Sequence, residues 1–318
     1  KPEYELYKIA DKYKAQKLFA KKEVAYEEKK TEERVEIELW KLKCEIETFS
    51  TSTLYHAQDL PFSIKDIPDV FTNFRKRIEK EATIRPIFSA PVTIKSPAIP
   101  ALQLPRLEQL GLHAVQVDSR ADMQFKGGET EAYNRLHYYF KISKAISSYK
   151  KTRDELIGAD YSSKFSAWLT IGCLSPREIH IELKKYEEQF GANESTYWLI
   201  FELLWRDYFR FMMKKHRHQF FLQTGVKSDE LSINSHNEDL LYKWINSQTG
   251  SDFIDANMLE LKLTGYMSNR GRQNVASYLC NDLKLDWRFG AAYFEQQLID
   301  YDVCSNWGNW AYLAGVGN

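Results

Sequence analysis

The chain has 318 residues, 43% hydrophobic and 28% charged, enough for a sizeable core in about two domains. Its 44 Lys and Arg balance 44 Asp and Glu, so no global basic field draws in nucleic acid and any such contact must come from a local patch. No run approaches the roughly 20 apolar residues of a spanning helix, so no membrane helix is expected. The first element read is an amphipathic helix over residues 4–16, with Tyr4, Leu6, Tyr7, Ile9, Ala10 and Tyr13 on its apolar face. Strand-like runs follow at 17–20 and 44–49, then a helical period at 68–82, so residues 1–86 read as part of an α/β layer. Five of nine prolines, Pro86, Pro91, Pro97, Pro100 and Pro105, fall in the next stretch without an apolar period. Residues 87–127 are therefore expected to be an extended connector between domains. From 128 to 318 the 3.6-residue period dominates, with breaks at Gly158, Ser175-Pro176, Gly191, Gly225, Gly250 and Gly265, which predicts an all-helical second domain.

Four cysteines, Cys44, Cys173, Cys280 and Cys304, have neither CxxC spacing nor the density of a disulfide scaffold, and read as belonging to a reducing compartment. The chain opens on Lys1 within a helical pattern and closes on a loop composition, Gly315 to Asn318. The expectation is a piece lacking both termini, in which a targeting peptide would have no place to be seen.

The chemistry is concentrated in the helical part, where many of the 8 Trp, 19 Tyr and 18 Phe stand beside Arg, Asp and Asn, as in proteins that hold planar ligands. Gly127-Gly128-Glu129-Thr130 reads as a turn and a helix start. In residues 158–176 a Ser-Ser-x-x-Ser sequence leads into an apolar helix, which is either simple capping or an anion cradle fit for a pyrophosphate. Residues 196–213 are apolar almost all round, yet Glu202, Arg206 and Arg210 recur every four residues, with Trp205 near the same face. That is either a buried Glu–Arg pair or a site in which burial raises the carboxyl pKa, so that Glu202 donates to a ligand carbonyl. The run 214–218 reads as a solvated helix end or a contact for nucleic-acid phosphates. Residues 264–283 read as one helix with polar first turns (Asn269, Arg270, Arg272, Gln273) and apolar later ones. In residues 298–310, Asp300 and Asp302 offer either metal ligands or acceptors for Arg and ligand N–H groups, and no closing Glu follows to complete a calcium loop.

These segments together resemble the photolyase/cryptochrome family, on its DASH branch. The sequences DYSSKFSAWLTIGCLSPREI, STYWLIFELLWRDYFRF, TGYMSNRGRQNVASYL and LIDYDVCSNWGNWAYLAGVGN carry the resemblance, with STSTLYHAQDLPF and FKGGETEA. It implies a partial Rossmann-like antenna domain, a connector and a helical domain holding FAD noncovalently. By resemblance, Tyr149, Ser162, Ser163, Lys164, Phe165 and Ser166 lie on the phosphate side, adjoined by Arg206 and Asn269. Asp300, Asp302 and Asn306 lie on the isoalloxazine side, with Arg272 paired to Asp300. The lesion pocket would comprise Glu202, Trp205, Asn269, Arg270, Gln273 and Tyr312.

The implied activity is a deoxyribodipyrimidine photo-lyase: light-driven repair of cyclobutane pyrimidine dimers, preferring single-stranded DNA. The alternatives are a blue-light receptor using the same flavin and a silent nucleic-acid-binding module. Trp310 and Trp287 match the inner two of a three-tryptophan relay. The outer place falls near Asn234, so surface electron entry is expected to be impaired or to use another aromatic such as Tyr242. A pterin antenna, methenyltetrahydrofolate, is usual on the branch, with Glu23 in the place of a contacting acid. No metal is expected, and the protein is expected to be a monomer in the cytoplasm or an organelle.

Overall fold

The computed structural model describes residues 1–96, 98, 100, 103–113, 116–227 and 237–317. Its first part is helix α1 (Pro2–Tyr13), strand β1 (Lys17–Lys21), helix α2 (Tyr26–Trp40) and strand β2 (Glu45–Phe49). The two strands pair in parallel, Lys17 opposite Glu45 through Lys21 opposite Phe49, which requires a crossover, and α2 supplies it. Sequence periodicity passed over α2. It is built mostly of Glu and Lys, and only Val35 and Leu39 are buried, so good helix formers rather than an apolar stripe define it. Val35 and Leu39 pack with Ala10 and Cys44 in a small core separate from the main one.

Helix α3 (Phe71–Glu81) follows, and the described residues between it and residue 128 carry no α-helix or strand, with a short 3-10 turn at Leu107–Leu110. Pro86, Pro91, Pro100 and Pro105 lie in that stretch, while Pro97 lies outside the described residues. The helical part comprises α4 (Glu129–His137), α5 (Tyr149–Thr152), α6 (Ser166–Thr170), α7 (Pro176–Phe190), α8 (Glu194–His216), α9 (Glu238–Ile245), α10 (Asp252–Thr264), α11 (Asn269–Ser277), α12 (Trp287–Gln297) and α13 (Val303–Leu313). All four cysteines are free thiols. Among the described residues no helix is long and apolar enough to cross a membrane.

Three expected elements need correction. Residues 264–283 are not one helix: α10 ends at Thr264, Gly265 turns left-handed at φ 70°, and α11 starts at Asn269 with the Ser268 hydroxyl accepting from the Gly271 N–H at 2.9 Å. The apolar helix after the serines, α6, is only five residues long, too short for a helix dipole to help bind an anion. The basic run is a solvated end only in part: Arg217 and His218 are exposed, but the residues before them are partly buried. Lys215 Nζ donates to the Ile67 carbonyl at 2.7 Å and to Asp69 at 2.5 Å, and His216 also reaches Asp69.

Helix α8 organises the molecule. The Asn193 side chain caps it, accepting from the N–H groups of Ser195 and Thr196 at 2.8 and 2.9 Å. Further along, its polar side chains hold backbone from the first 70 residues. Asp207, 1% exposed, accepts from the Leu54 and Tyr55 N–H groups at 2.9 Å each. Burial pushes its carboxyl up to about 7 against the lowering effect of those two bonds. Arg206 donates to the Ser52 carbonyl, Tyr208 to that of Asp69 at 2.6 Å, and Arg210 to that of Lys22 at 2.7 Å. These polar groups of the apolar helix are thus buried against backbone partners that satisfy them.

Candidate functional site

A cavity of about 500 Å³, within the usual range for small-molecule sites, opens on the other side of α8. Six parts of the chain meet there: Tyr149 of α5, the turn Tyr161 to Ser166, Glu202, Trp205 and Arg206 of α8, Asn269, Arg272 and Gln273 of α11, the pair Asp300 and Asp302, and Tyr312 of α13. Segments more than a hundred residues apart in sequence converge on one space. Asn306 and Trp310 line a smaller hollow beside it, which shares Asn269, Arg272, Gln273, Asp300 and Asp302 with the larger one. Three expected residues lie outside both hollows: Arg270, Trp287 and Glu23.

Glu202 pairs with Arg153 at 2.9 Å and not with the arginines of its own helix, which are occupied with backbone carbonyls. Burial raises its pKa, opposed by Arg153 and by a hydrogen bond with Trp198, while Asp154 raises it further. Asp154 lies 3.7 Å from Arg153 and 2.8 Å from Arg270, so a chain of alternating charges runs from Glu202 to α11. Arg270 also reaches Gln273 at 3.3 Å, which connects it to the cavity without lining it. Trp205 lies flat on Phe71 of α3, with ring centres 3.6 Å apart and planes 12° apart, and meets Tyr312 edge-on at 6.0 Å.

In the serine turn, Lys164 has a left-handed backbone at φ 56° and is 4% exposed. Its ammonium sits 3.9 Å from the Tyr161 ring centre and 4.6 Å from that of Tyr266, and it makes no hydrogen bond or ion pair with any described residue. Burial pushes it down to about 8. Both oxygens of Asp300 accept from Arg272 Nη2, at 3.0 and 2.9 Å, while Arg272 Nε donates to the Met267 carbonyl at 2.9 Å. Asp302 caps α13, accepting from the Ser305 N–H at 2.8 Å. Burial pushes Asp302 up, but Arg206, that bond and Arg210 together hold it below the ordinary carboxylate value. Asp300 is thus engaged with Arg272, and Asp302 with a backbone N–H of its own helix. The Asn306 amide donates to the Ala291 carbonyl at 3.0 Å, which fixes its orientation.

Of the aromatic relay, Trp310 packs on Trp244 at 6.1 Å and Phe294 at 5.1 Å, and Trp287 is fully buried with Trp307 edge-on at 5.7 Å. Asn234 lies outside the described residues, and Tyr242 makes no ring contact with Trp287. Glu23 pairs with Arg210 and Lys21, each at 2.8 Å, well apart from the cavity. The sequence reading missed Arg153, Tyr161 and Tyr266. A signal for Arg153 was present, since it stands four residues after Tyr149 and hence on the same helix face.

The protein-family comparison matches residues 1–98 to DNA photolyase and residues 198–318 to the FAD binding domain of DNA photolyase. Among curated proteins, the chain is 49% identical to Cryptochrome DASH of Danio rerio, over 93% of this chain and 57% of that one. It is 48% identical to Cryptochrome DASH of Synechocystis, over 100% of this chain and 65% of that one. The crystal structure of the Synechocystis cryptochrome superposes with a TM-score of 0.94, covering 100% of this chain and 66% of that one. The chain therefore spans less than two thirds of the length of these relatives.

The cavity's donor set suits FAD. Serine hydroxyls and a buried ammonium that has no hydrogen bond or ion pair among the described residues suit phosphate oxygens, while Asp300 and Asp302 offer carboxylate acceptors for the N–H edge of a planar ring. From the matched domains, the extent of identity and the shared fold, the chain belongs to the photolyase/cryptochrome family, on its DASH cryptochrome branch.

Proposed function

We propose that the protein repairs cyclobutane pyrimidine dimers with light, using FAD and preferring single-stranded DNA. One observation carries this reading: Glu202, with its raised pKa, and Trp205 line the same cavity as the carboxylates and serines that suit FAD. Bound FAD supplies light absorption and one-electron chemistry. The chain must receive a flipped-out lesion, stack it and hydrogen-bond its carbonyls. Trp205, backed by Phe71, provides a rigid stacking wall, with Tyr312 beside it. Burial pushes the Glu202 carboxyl toward the protonated form in which it would donate to a pyrimidine carbonyl, and Arg153 holds that side chain in place. Gln273 completes the rim, with Arg270 behind it, and Asn269 joins it to the FAD side. Asn306, with its amide oriented by Ala291, presents a neutral group where a carboxylate would repel a reduced ring.

The test is light-dependent loss of dimers from UV-treated oligo(dT) by the FAD-loaded protein, with single-stranded and duplex substrates compared. Glu202→Ala is expected to lower the repair rate about tenfold or more while FAD is retained, the worth of one hydrogen bond to the lesion. Bound FAD with no dimer loss in the parent protein would favour a blue-light receptor instead.

We also assign Lys164 to the FAD phosphates. Its folded value near 8 lies below the ordinary lysine value, so the free protein loses this proton as pH rises through about 8. A bound phosphate would hold the proton on, so binding takes up a proton above that pH. FAD affinity is therefore expected to be level below about pH 8 and to fall by up to about tenfold per pH unit above it. Flavin fluorescence titrations on either side of pH 8 read this directly. A Lys164→Met variant should bind more weakly and lose the dependence, and an unchanged pH profile in that variant would remove Lys164 from the phosphate site.

A further inference from the structure

Trp287 is fully buried, and its indole N–H is spent on the Gln223 carbonyl at 3.0 Å. An electron that reaches it from outside needs a further ring. Among the described residues that ring is Trp307, 5.7 Å away and edge-on at 76°, within the range of direct aromatic contact. Trp307 is partly buried and its Nε1 donates to Oε2 of Glu295, an exposed carboxylate, at 3.1 Å. A second ring, Phe221, packs against it at 4.9 Å. On the inner side, the Trp310 ring lies against Gly290, one helical turn beyond Trp287 on α12. Trp310 and Trp287 thus meet the same turn of α12, and Trp287 leads on to Trp307 and a surface carboxylate.

We propose that Trp307 is the outer member of the electron relay and that Glu295 is its proton acceptor. The proposal rests on the reading that Trp310 and Trp287 pass electrons to bound flavin. The oxidant that starts the sequence is light-excited oxidised flavin, and the final reductant is a thiol in solution. When Trp287 has given up an electron inward, Trp307 refills it with one electron, and the proton on Trp307 Nε1 moves to Glu295 Oε2. The neutral indolyl radical left on Trp307 takes a hydrogen atom from the thiol, which restores the indole N–H and leaves a thiyl radical that couples with a second one to a disulfide, and Glu295 returns its proton to water. A proton acceptor at hydrogen-bond distance makes the outward charge separation slow to reverse, because return of the electron then requires return of the proton.

The test uses FAD-loaded protein with a thiol, illuminated with blue light and followed by flavin bleaching and by transient absorption, which separates cationic from neutral indolyl radicals. Trp307→Phe is expected to slow photoreduction about tenfold, equivalent to 1.4 kcal/mol of barrier, and to remove the long-lived neutral radical. Tyr242→Phe should leave both unchanged. Glu295→Gln, which keeps the surface shape, should convert the neutral radical into a short-lived cationic one. Repair by protein reduced beforehand with dithionite should be the same in Trp307→Phe as in the parent, showing that fold and flavin are intact. If Trp287→Phe slows photoreduction and Trp307→Phe does not, Trp307 is not in the relay. If neither slows it, the underlying relay reading fails as well. A neutral radical that persists in Glu295→Gln would overturn the role of Glu295.

Discussion

Asp300→Asn is expected to cost about 3 kcal/mol of folding stability and to abolish retention of FAD. The Asp300 side chain is 2% exposed, and both its oxygens accept from one nitrogen of Arg272. That arginine cannot turn away, because its Nε is bonded to the Met267 carbonyl and its guanidinium sits 5.3 Å from the Tyr266 ring centre. Removing the carboxylate charge strands a guanidinium in the cavity wall, and breaking a buried pair from one side typically costs 3–5 kcal/mol. The low end applies because the Arg272 side chain keeps about a quarter of its surface exposed, at 24%. Urea unfolding of the flavin-free protein measures the cost. A second variant separates fold from function: the double change Asp300→Leu with Arg272→Met removes both charges together and should regain most of the stability. It should still fail to hold FAD, since the acceptor for a ring N–H is gone. If Asp300→Asn unfolds within about 0.5 kcal/mol of the parent, the pair contributes nothing to the fold.

What could be read from the sequence depended on how local its cause was. Strands β1 and β2 were readable from short runs, as were the helices that end at glycine. Gly191 follows α7 and Gly265 follows α10, where a left-handed residue stops the helix. The convergence of Glu202, Asp300 and the serine turn on one cavity was not written in any spacing, and resemblance to a known family was needed to bring them together. The partners of Glu202 and Arg206 were out of reach for the same reason. A four-residue period puts Glu202 and Arg206 on one face, but Arg206 is claimed by a carbonyl 154 residues away. Burial then leaves the carboxyl to whichever cation another element supplies, here Arg153 from α5. The basic run that closes α8 was read correctly only at its exposed end, because a charge cluster looks the same in sequence whether water or a distant backbone carbonyl satisfies it, and Lys215 has the carbonyl of Ile67. Trp307 went unremarked because nothing in the chain order places it against Trp287.

Gly290→Ala is expected to be among the most damaging single changes. A Cβ at Gly290 would stand 2.2 Å from Cη2 and 2.5 Å from Cζ3 of Trp310, far inside van der Waals contact. The obstacle is a rigid indole, 2% exposed and packed against Trp244 and Phe294, so the added methyl meets a ring rather than the end of a flexible chain. The close approach of α12 to α13 thus depends on the missing side chain, and the same contact places Trp310 beside the cavity. Within a helix, alanine in place of glycine gains about 1 kcal/mol of propensity, whereas overpacking a filled core costs about 1–3 kcal/mol and sometimes more. Here overpacking wins, because the clash falls on a ring and on backbone-fixed helices together, and a net loss of about 2 kcal/mol is expected. Gly127→Ala, where an added Cβ meets nothing within 4 Å, serves as the neutral control. Thermal unfolding reads the stability. Tryptophan fluorescence and the rate of flavin photoreduction read the displacement of Trp310, and both should change even at temperatures where the variant remains folded. If Gly290→Ala matches the parent in stability and photoreduction, α12 and α13 are not held together by this contact, and the inner end of the relay is not fixed by Gly290.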